Sequence, residues 1–155
     1  MIQSRTKGKR AELEACRALE LVFDVKWQRT AQVSGKFSAD VMPSQDIGLH
    51  VEVKHYASGL TWWTKRAKRL PLCLSADGFY FATLCNAKQV SKRIVLPDMA
   101  PRCGLAARWM KQAVTDAAGE RTPVVLCRQN NSPWLLVWRY EDDDRLWEGV
   151  GPWLV

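Results

Sequence analysis

LHVEVKHY, residues 49–56, alternates with the two-residue period of a β-strand. Val51, Val53 and His55 point to one face; His50, Glu52, Lys54 and Tyr56 point to the other. An apolar row backed by an ionisable row marks a strand with its dry side on a core and chemistry on the opposite side. Ser44-Gln45-Asp46-Ile47-Gly48 just before it has the composition of a hairpin turn. That turn makes Ala39–Met42 the antiparallel partner of 49–56. Val25–Thr30 is a further short strand, separated from Ala39 by a loop holding Ser34, Gly35 and Lys36. Ser58-Gly59 ends the long strand.

Upstream, Ala11, Ala15, Cys16, Leu19, Val22 and Phe23 recur at three-and-four spacing, which predicts a helix from Thr6 to about Phe23. Arg10–Glu14 and Glu14–Arg17 are ion pairs for its outer face. Glu12 falls at the N-terminal end of the inward stripe, and an inward carboxylate needs a partner. Downstream, Thr61–Leu70 predicts a short helix stopped by Pro71, with Trp63, Ala67 and Leu70 on one side and Trp62, Lys65, Arg66 and Arg69 on the other. Phe79–Cys85 and Val90–Leu96 have strand composition. Leu105–Ala118 is an amphipathic helix on Leu105, Trp109, Ala113 and Ala117. Thr122–Arg128 and Trp134–Tyr140 are strands joined by the turn Gln129-Asn130-Asn131-Ser132-Pro133. The order implies one α/β domain over residues 1–155, a mixed sheet flanked by helices.

The chain has 155 residues, 47% apolar and 25% charged, in the range of a globular domain. No stretch approaches the roughly 18 apolar residues of a membrane span. Glu12, Glu14 and Glu20 stand where a signal peptide would be apolar, which leads to the expectation of a cytoplasmic protein, in the host's cytoplasm if phage-encoded. The five cysteines form no CxxC pair and are expected to be reduced thiols. Lysine and arginine number 23 against 16 acids. Five of those acids and one base fall in 141–155, so residues 1–140 hold 22 bases and 11 acids. A body that basic attracts polyanions, nucleic acid foremost. The acidic run Glu141–Asp144 reads as a solvated loop.

Paired through the Ser44–Gly48 turn, Asp40 and Glu52 come to lie close together on one face. Two adjacent carboxylates repel unless a cation lies between them, and oxygen donors suit Mg²⁺ or Mn²⁺. Lys54, beside them, is placed to orient a water or to offset charge on a phosphate. Glu12 is a candidate third carboxylate, which would account for its inward position. Glu-Val-Lys alone is more often a cross-strand ion pair than a catalytic site.

Four elements in order carry more weight. Lys7-Gly8 with Glu12, Arg29 with Ser34-Gly35 and Ala39-Asp40-Val41, and then Val51-Glu52-Val53-Lys54, resemble the PD-(D/E)xK nucleases. Within that group the pattern is most similar to the Holliday-junction resolvases of archaea and their phage relatives. The likeness covers residues 5–56. Residues 104–140, with Trp109, Thr122-Pro123-Val124 and Pro133-Trp134-Leu135, are similar to the tail of phage-type members. Residues 57–103 match nothing in the family, and 141–155 are the acidic tail. Ala39 stands where the motif's name has proline.

The resemblance implies a restriction-endonuclease-like nuclease fold and paired phosphodiester hydrolysis at branched double-stranded DNA by a homodimer. It implies Mg²⁺ as cofactor, Mn²⁺ substituting, with no small-molecule cofactor. It makes Asp40, Glu52 and the backbone carbonyl of Val53 metal ligands, Lys54 the catalytic lysine, and Glu12 the helix glutamate, acting on the metal directly or through water. Ser34 corresponds to a mobile-loop serine, at a shorter spacing from Asp40 than in archaeal members. Arg29 and Lys36 are expected to meet the DNA backbone. Lys7, Lys9 and Arg10 flank the start of the first helix, where amides also attract phosphate. Trp62, Lys65, Arg66 and Arg69 form a second candidate DNA surface, the tryptophan for stacking and the cations for phosphates. Trp63 is expected to pack on the body, and His50 to be structural. Two other classes stay open: a restriction, repair or end-processing nuclease of the same fold, and a non-catalytic DNA-binding domain.

Overall fold

A computed structural model describes residues 2–30, 39–69, 73–84 and 99–148. Helix α1 (Ile2–Val22) starts before the predicted Thr6 and buries Ala11, Ala15, Cys16, Leu19 and Val22. Small residues at 11, 15 and 16 let its backbone lie close to the sheet. Leu19 and Phe23 lose all contact with solvent, which stabilises the fold by about 1.5–3 kcal/mol apiece. Strands β1 (Trp27–Arg29), β2 (Val41–Pro43) and β3 (Leu49–Tyr56) form an antiparallel meander with Trp27 opposite Pro43 and Val41 opposite Val51. The turn into β3 is built as its composition implies. The Asp46 carboxylate accepts the Gly48 N–H at 2.9 Å, and Gly48 takes a φ of 75°.

Helix α2 (Thr61–Arg69) follows β3, then β4 (Cys73–Ser75), β5 (Phe79–Thr83) and β6 (Met99–Ala100). Helix α3 (Gly104–Ala117) crosses over to β7 (Thr122–Gln129), which lies parallel to β3 from Leu49↔Thr122 to Tyr56↔Gln129. Strand β8 (Leu135–Arg139) returns antiparallel to β7. The eight strands run β1-β2-β3-β7-β8-β5-β4-β6, one mixed sheet with helices on both faces. Within 57–103, the stretch that matched nothing as sequence, β5, β4 and β6 lengthen this sheet beyond β8. Gly59, where the strand breaks, has a φ of 105°, and an added Cβ would lie 2.9 Å from Leu105 Cδ1.

The two sheet faces carry separate cores. On one, α1 packs over Leu49, Val51, Val124, Leu126 and Trp138. On the other, α3 packs over Val125, Cys127, Leu135 and Val137. Sheet alternation assigns Glu52 and Lys54, which lie beside Val125 and Cys127, to the α3 face.

Several expectations are corrected. The short strands β4 and β6 are additions, and the expected strand Val90–Leu96 lies outside the described residues. The acidic run is not a solvated loop. Tyr140–Asp142 forms a 3₁₀ turn and Asp143–Glu148 forms helix α4. Asp142 is buried and takes Arg139 in a two-pronged ion pair at 2.5 and 3.2 Å, while one Asp143 oxygen accepts both the Trp138 and Trp147 indoles. Burial requires each of these acids to have a partner, and the basic and indole groups supply them. Cys16, Cys103 and Cys127 are buried free thiols and Cys73 is buried with them; burial pushes the Cys16 thiol up to about 11, with help from Glu20 and Glu12. Cys85 is outside the described residues. Among the described residues no helix is long and apolar enough to cross a membrane.

Candidate active site

The ionisable row of β3 lies under α3, and the two elements meet residue by residue. Trp109, Gln112 and Asp116 follow the helix at spacings of three and four, so they share one stripe. The Tyr56 ring is 5.0 Å from that of Trp109, and Lys54 Nζ donates to Gln112 Oε1 at 3.1 Å. The Asp116 carboxylate reaches His50 and Glu52, with one donor atom of each of the three within 4.8 Å of the others.

Asp40 enters from the neighbouring strand. Continuing the Val41↔Val51 register places it opposite Glu52. Its Oδ2 accepts the Val53 N–H at 2.8 Å, and its own N–H donates to the Val51 carbonyl at 3.2 Å. The N–H and C=O of one strand residue leave on the same side, so the Val53 carbonyl also points toward Asp40. Glu52 is 2% exposed, with Oε1 3.0 Å from His50 Nε2 and Oε2 3.8 Å from Lys54 Nζ. Burial first, and then repulsion from Glu52, push the Asp40 carboxyl up to about 6; the Val53 N–H and Lys54 pull the other way. A buried and a half-buried carboxylate that repel each other and face a lysine fit a divalent cation, which would remove the repulsion. Asp40, Glu52 and the Val53 carbonyl would be the groups to hold it.

This strain predicts a stability effect. The folded carboxyl titrates near 6 and the ordinary aspartate near 3.8, so across that window the unfolded chain loses the proton first. Stability from Asp40 is full below 3.8 and is lost as pH rises through 6. Asp40→Asn is therefore expected to raise the stability of metal-free protein at neutral pH by roughly 2–3 kcal/mol, and by little in acid. Thermal melts across pH in a chelating buffer check this; a neutral-pH loss in the variant would contradict it.

The remaining candidates separate. Glu12 pairs with Arg29, Oε2 to Nε at 2.5 Å, on the α1 face of the sheet. That is a correction: the sheet stands between Glu12 and the Asp40–Glu52 pair, and the partner of this inward acid is an arginine of β1. Arg29 is accordingly half-buried in an ion pair. Arg10 is exposed and pairs with Glu14 at 3.1 Å, while Lys9 is exposed. The side chains of Lys7 and Arg69, and all of Ser34 and Lys36, lie outside the described residues. Trp62 is exposed with the Arg66 guanidinium over its ring at 5.4 Å, and Lys65 is exposed beside them. Trp63 stacks on Phe81 in the core, as its position in the helix implied.

His50 and Asp116 are the residues sequence reasoning left aside. His50 is 3% exposed at the heart of the site, on the same row as Glu52. For Asp116 the only signal was an acid one turn beyond Gln112 in the stripe that starts at Trp109. A cleft of about 260 Å³ lined by Thr30, Ala39, His50, Asp116 and Arg121 opens beside them. In comparisons with protein-family models, curated proteins and solved structures, nothing matches this chain.

Proposed function

We propose that this protein is a metal-dependent DNA endonuclease of the PD-(D/E)xK kind that cuts four-way junctions. The observation that carries the reading is the convergence of Asp40, Glu52 and Lys54, from two paired strands, on one partly covered face. A bound Mg²⁺ or Mn²⁺ would polarise the scissile phosphate and offset charge on the leaving oxygen. Asp40 and Glu52 supply the oxygens for that ion. Lys54, held between Glu52 and Gln112, presents a fixed cation to the phosphate and to the attacking water. Gln112 acts through Lys54, limiting its rotamers. The excess of lysine and arginine draws DNA to the surface. Paired cuts across a junction need two sites related by a dyad, so the acting species is a homodimer.

Junction preference rests on the motif order in residues 5–56. The alternative, a restriction, repair or end-processing nuclease with the same site, draws on the exposed Trp62 of α2, with Arg66 over its ring, as an added DNA-contacting element.

The deciding experiment incubates the protein with a labelled four-way junction and with linear duplex of the same sequences, in Mg²⁺, Mn²⁺, Ca²⁺ or EDTA. Paired nicks in the junction are expected with Mg²⁺ and Mn²⁺. With Ca²⁺, which coordinates loosely and activates water poorly, DNA binding without cleavage is expected. Full activity in EDTA would overturn the metal mechanism. Equal cutting of junction and duplex would move the protein to the alternative, and no cutting of either would favour the binding-module reading.

A further inference from the structure

We infer that the metal centre includes nitrogen: His50 Nε2 and the Asp116 carboxylate join Glu52 as ligands, and the site selects Mn²⁺ over Mg²⁺. This rests on the reading of Asp40 and Glu52 as ion-holding groups and adds the identity of the ion.

Three donors from two elements converge here. His50 and Glu52 are both at most 3% exposed, and Nε2 lies 3.0 Å from Oε1. Asp116 brings a second carboxylate within 4.8 Å of both the imidazole and the buried acid, and two carboxylates so close repel unless a cation lies between them. An ion between them accounts for all three. A second observation lies in the cleft that reaches His50 and Asp116. Thr30 lines that cleft, and its hydroxyl oxygen is shielded from solvent with no hydrogen-bond partner among the described residues. A buried hydroxyl without a partner is costly, and a water or phosphate oxygen carried by the ion would satisfy it.

The donor set then decides the ion. Mg²⁺ favours an all-oxygen octahedron and keeps its waters, whereas an imidazole with carboxylates suits the borderline ions of the first transition row. Mn²⁺ accepts both donor types and supports the same phosphoryl chemistry. An all-oxygen set of Asp40, Glu52 and the Val53 carbonyl would show no such preference.

The test uses tag-free, full-length protein and Mn²⁺ itself. The free-Mn²⁺ signal in electron paramagnetic resonance gives the affinity, and electron spin-echo modulation reports nitrogen bound to the ion. The chain has two histidines, and His55 sits on the opposite row of β3 near Trp134, so a ¹⁴N coupling identifies His50. Expected are ¹⁴N modulation in the wild type and its loss in His50→Gln. Both His50→Gln and Asp116→Asn should weaken Mn²⁺ by at least about tenfold. Magnesium, measured by competition, should bind the wild type at least about tenfold more weakly than Mn²⁺. The wild-type spectrum needs no variant to fold. Bound Mn²⁺ without ¹⁴N modulation overturns this inference and leaves the Asp40–Glu52 reading standing. Unchanged affinity in folded Asp116→Asn overturns the helix ligand. No bound Mn²⁺ at all overturns both.

Discussion

Glu52→Gln is expected to abolish junction cleavage while leaving junction affinity equal or higher. Glu52 faces Asp40, His50 and Lys54 at once, and its contacts with Asp40 and Lys54 depend on its charge. The amide keeps the shape and removes the negative charge, so the cation loses a ligand and Lys54 loses its counter-ion. Deleting one preorganised electrostatic group commonly costs 10²–10³-fold in rate, and about that loss or more is expected in single-turnover cleavage. Binding should not suffer, because the substitution removes a negative charge facing phosphate. Asp40→Asn should behave the same way. Glu12→Gln is the contrasting case. The resemblance implies that it should match the other two. With Glu12 paired to Arg29 on the far side of the sheet, the structure leads instead to near wild-type activity and a stability loss of about 1 kcal/mol or less. Fluorescence anisotropy with a junction and quenched-flow cleavage read both quantities. Wild-type rates in folded Glu52→Gln would place the chemistry elsewhere.

The second large effect is on stability. Asp142→Ala is expected to destabilise the protein by about 3 kcal/mol, the lower end of the range for breaking a buried ion pair. The Asp142 side chain is 3% exposed against 26% for Arg139, so the arginine keeps some water and some help from Glu141 at 3.0 Å. That partial exposure is why the lower end applies. The neighbouring Glu141→Ala is the control: its side chain is 69% exposed, and a loss of at most about 1 kcal/mol is expected. Urea unfolding midpoints, with slopes compared to verify two-state behaviour, distinguish the two. Equal, small losses at both positions would return the acidic run to the solvated loop its composition suggests.

Much of the site was legible in the sequence because it is local. The alternation of 49–56 sorts Glu52 and Lys54 onto one face, and a tight turn at 44–48 leaves little freedom in the register that brings Asp40 opposite Glu52. Short-range geometry of this kind follows from side-chain period and turn chemistry alone. Three features were decided by tertiary structure. Periodicity shows that a helix has an inward stripe, not which side of a two-faced sheet it covers. Both faces here are apolar, so α1 and α3 were interchangeable on pattern, and only packing puts Glu12 away from Glu52 and Asp116 beside it. His50 acquires its place from the same decision, since an imidazole on a strand is a structural residue until a second carboxylate is packed against it. The acidic run reads as solvent-loving by composition. Its Asp142 is buried because the end of β8 sets Arg139 against it, and the 3₁₀ turn brings Asp143 to the Trp138 indole; composition shows the acids and not the turn that pairs them. Residue pattern determined the strands and the paired carboxylates; long-range packing determined which helix completes the site.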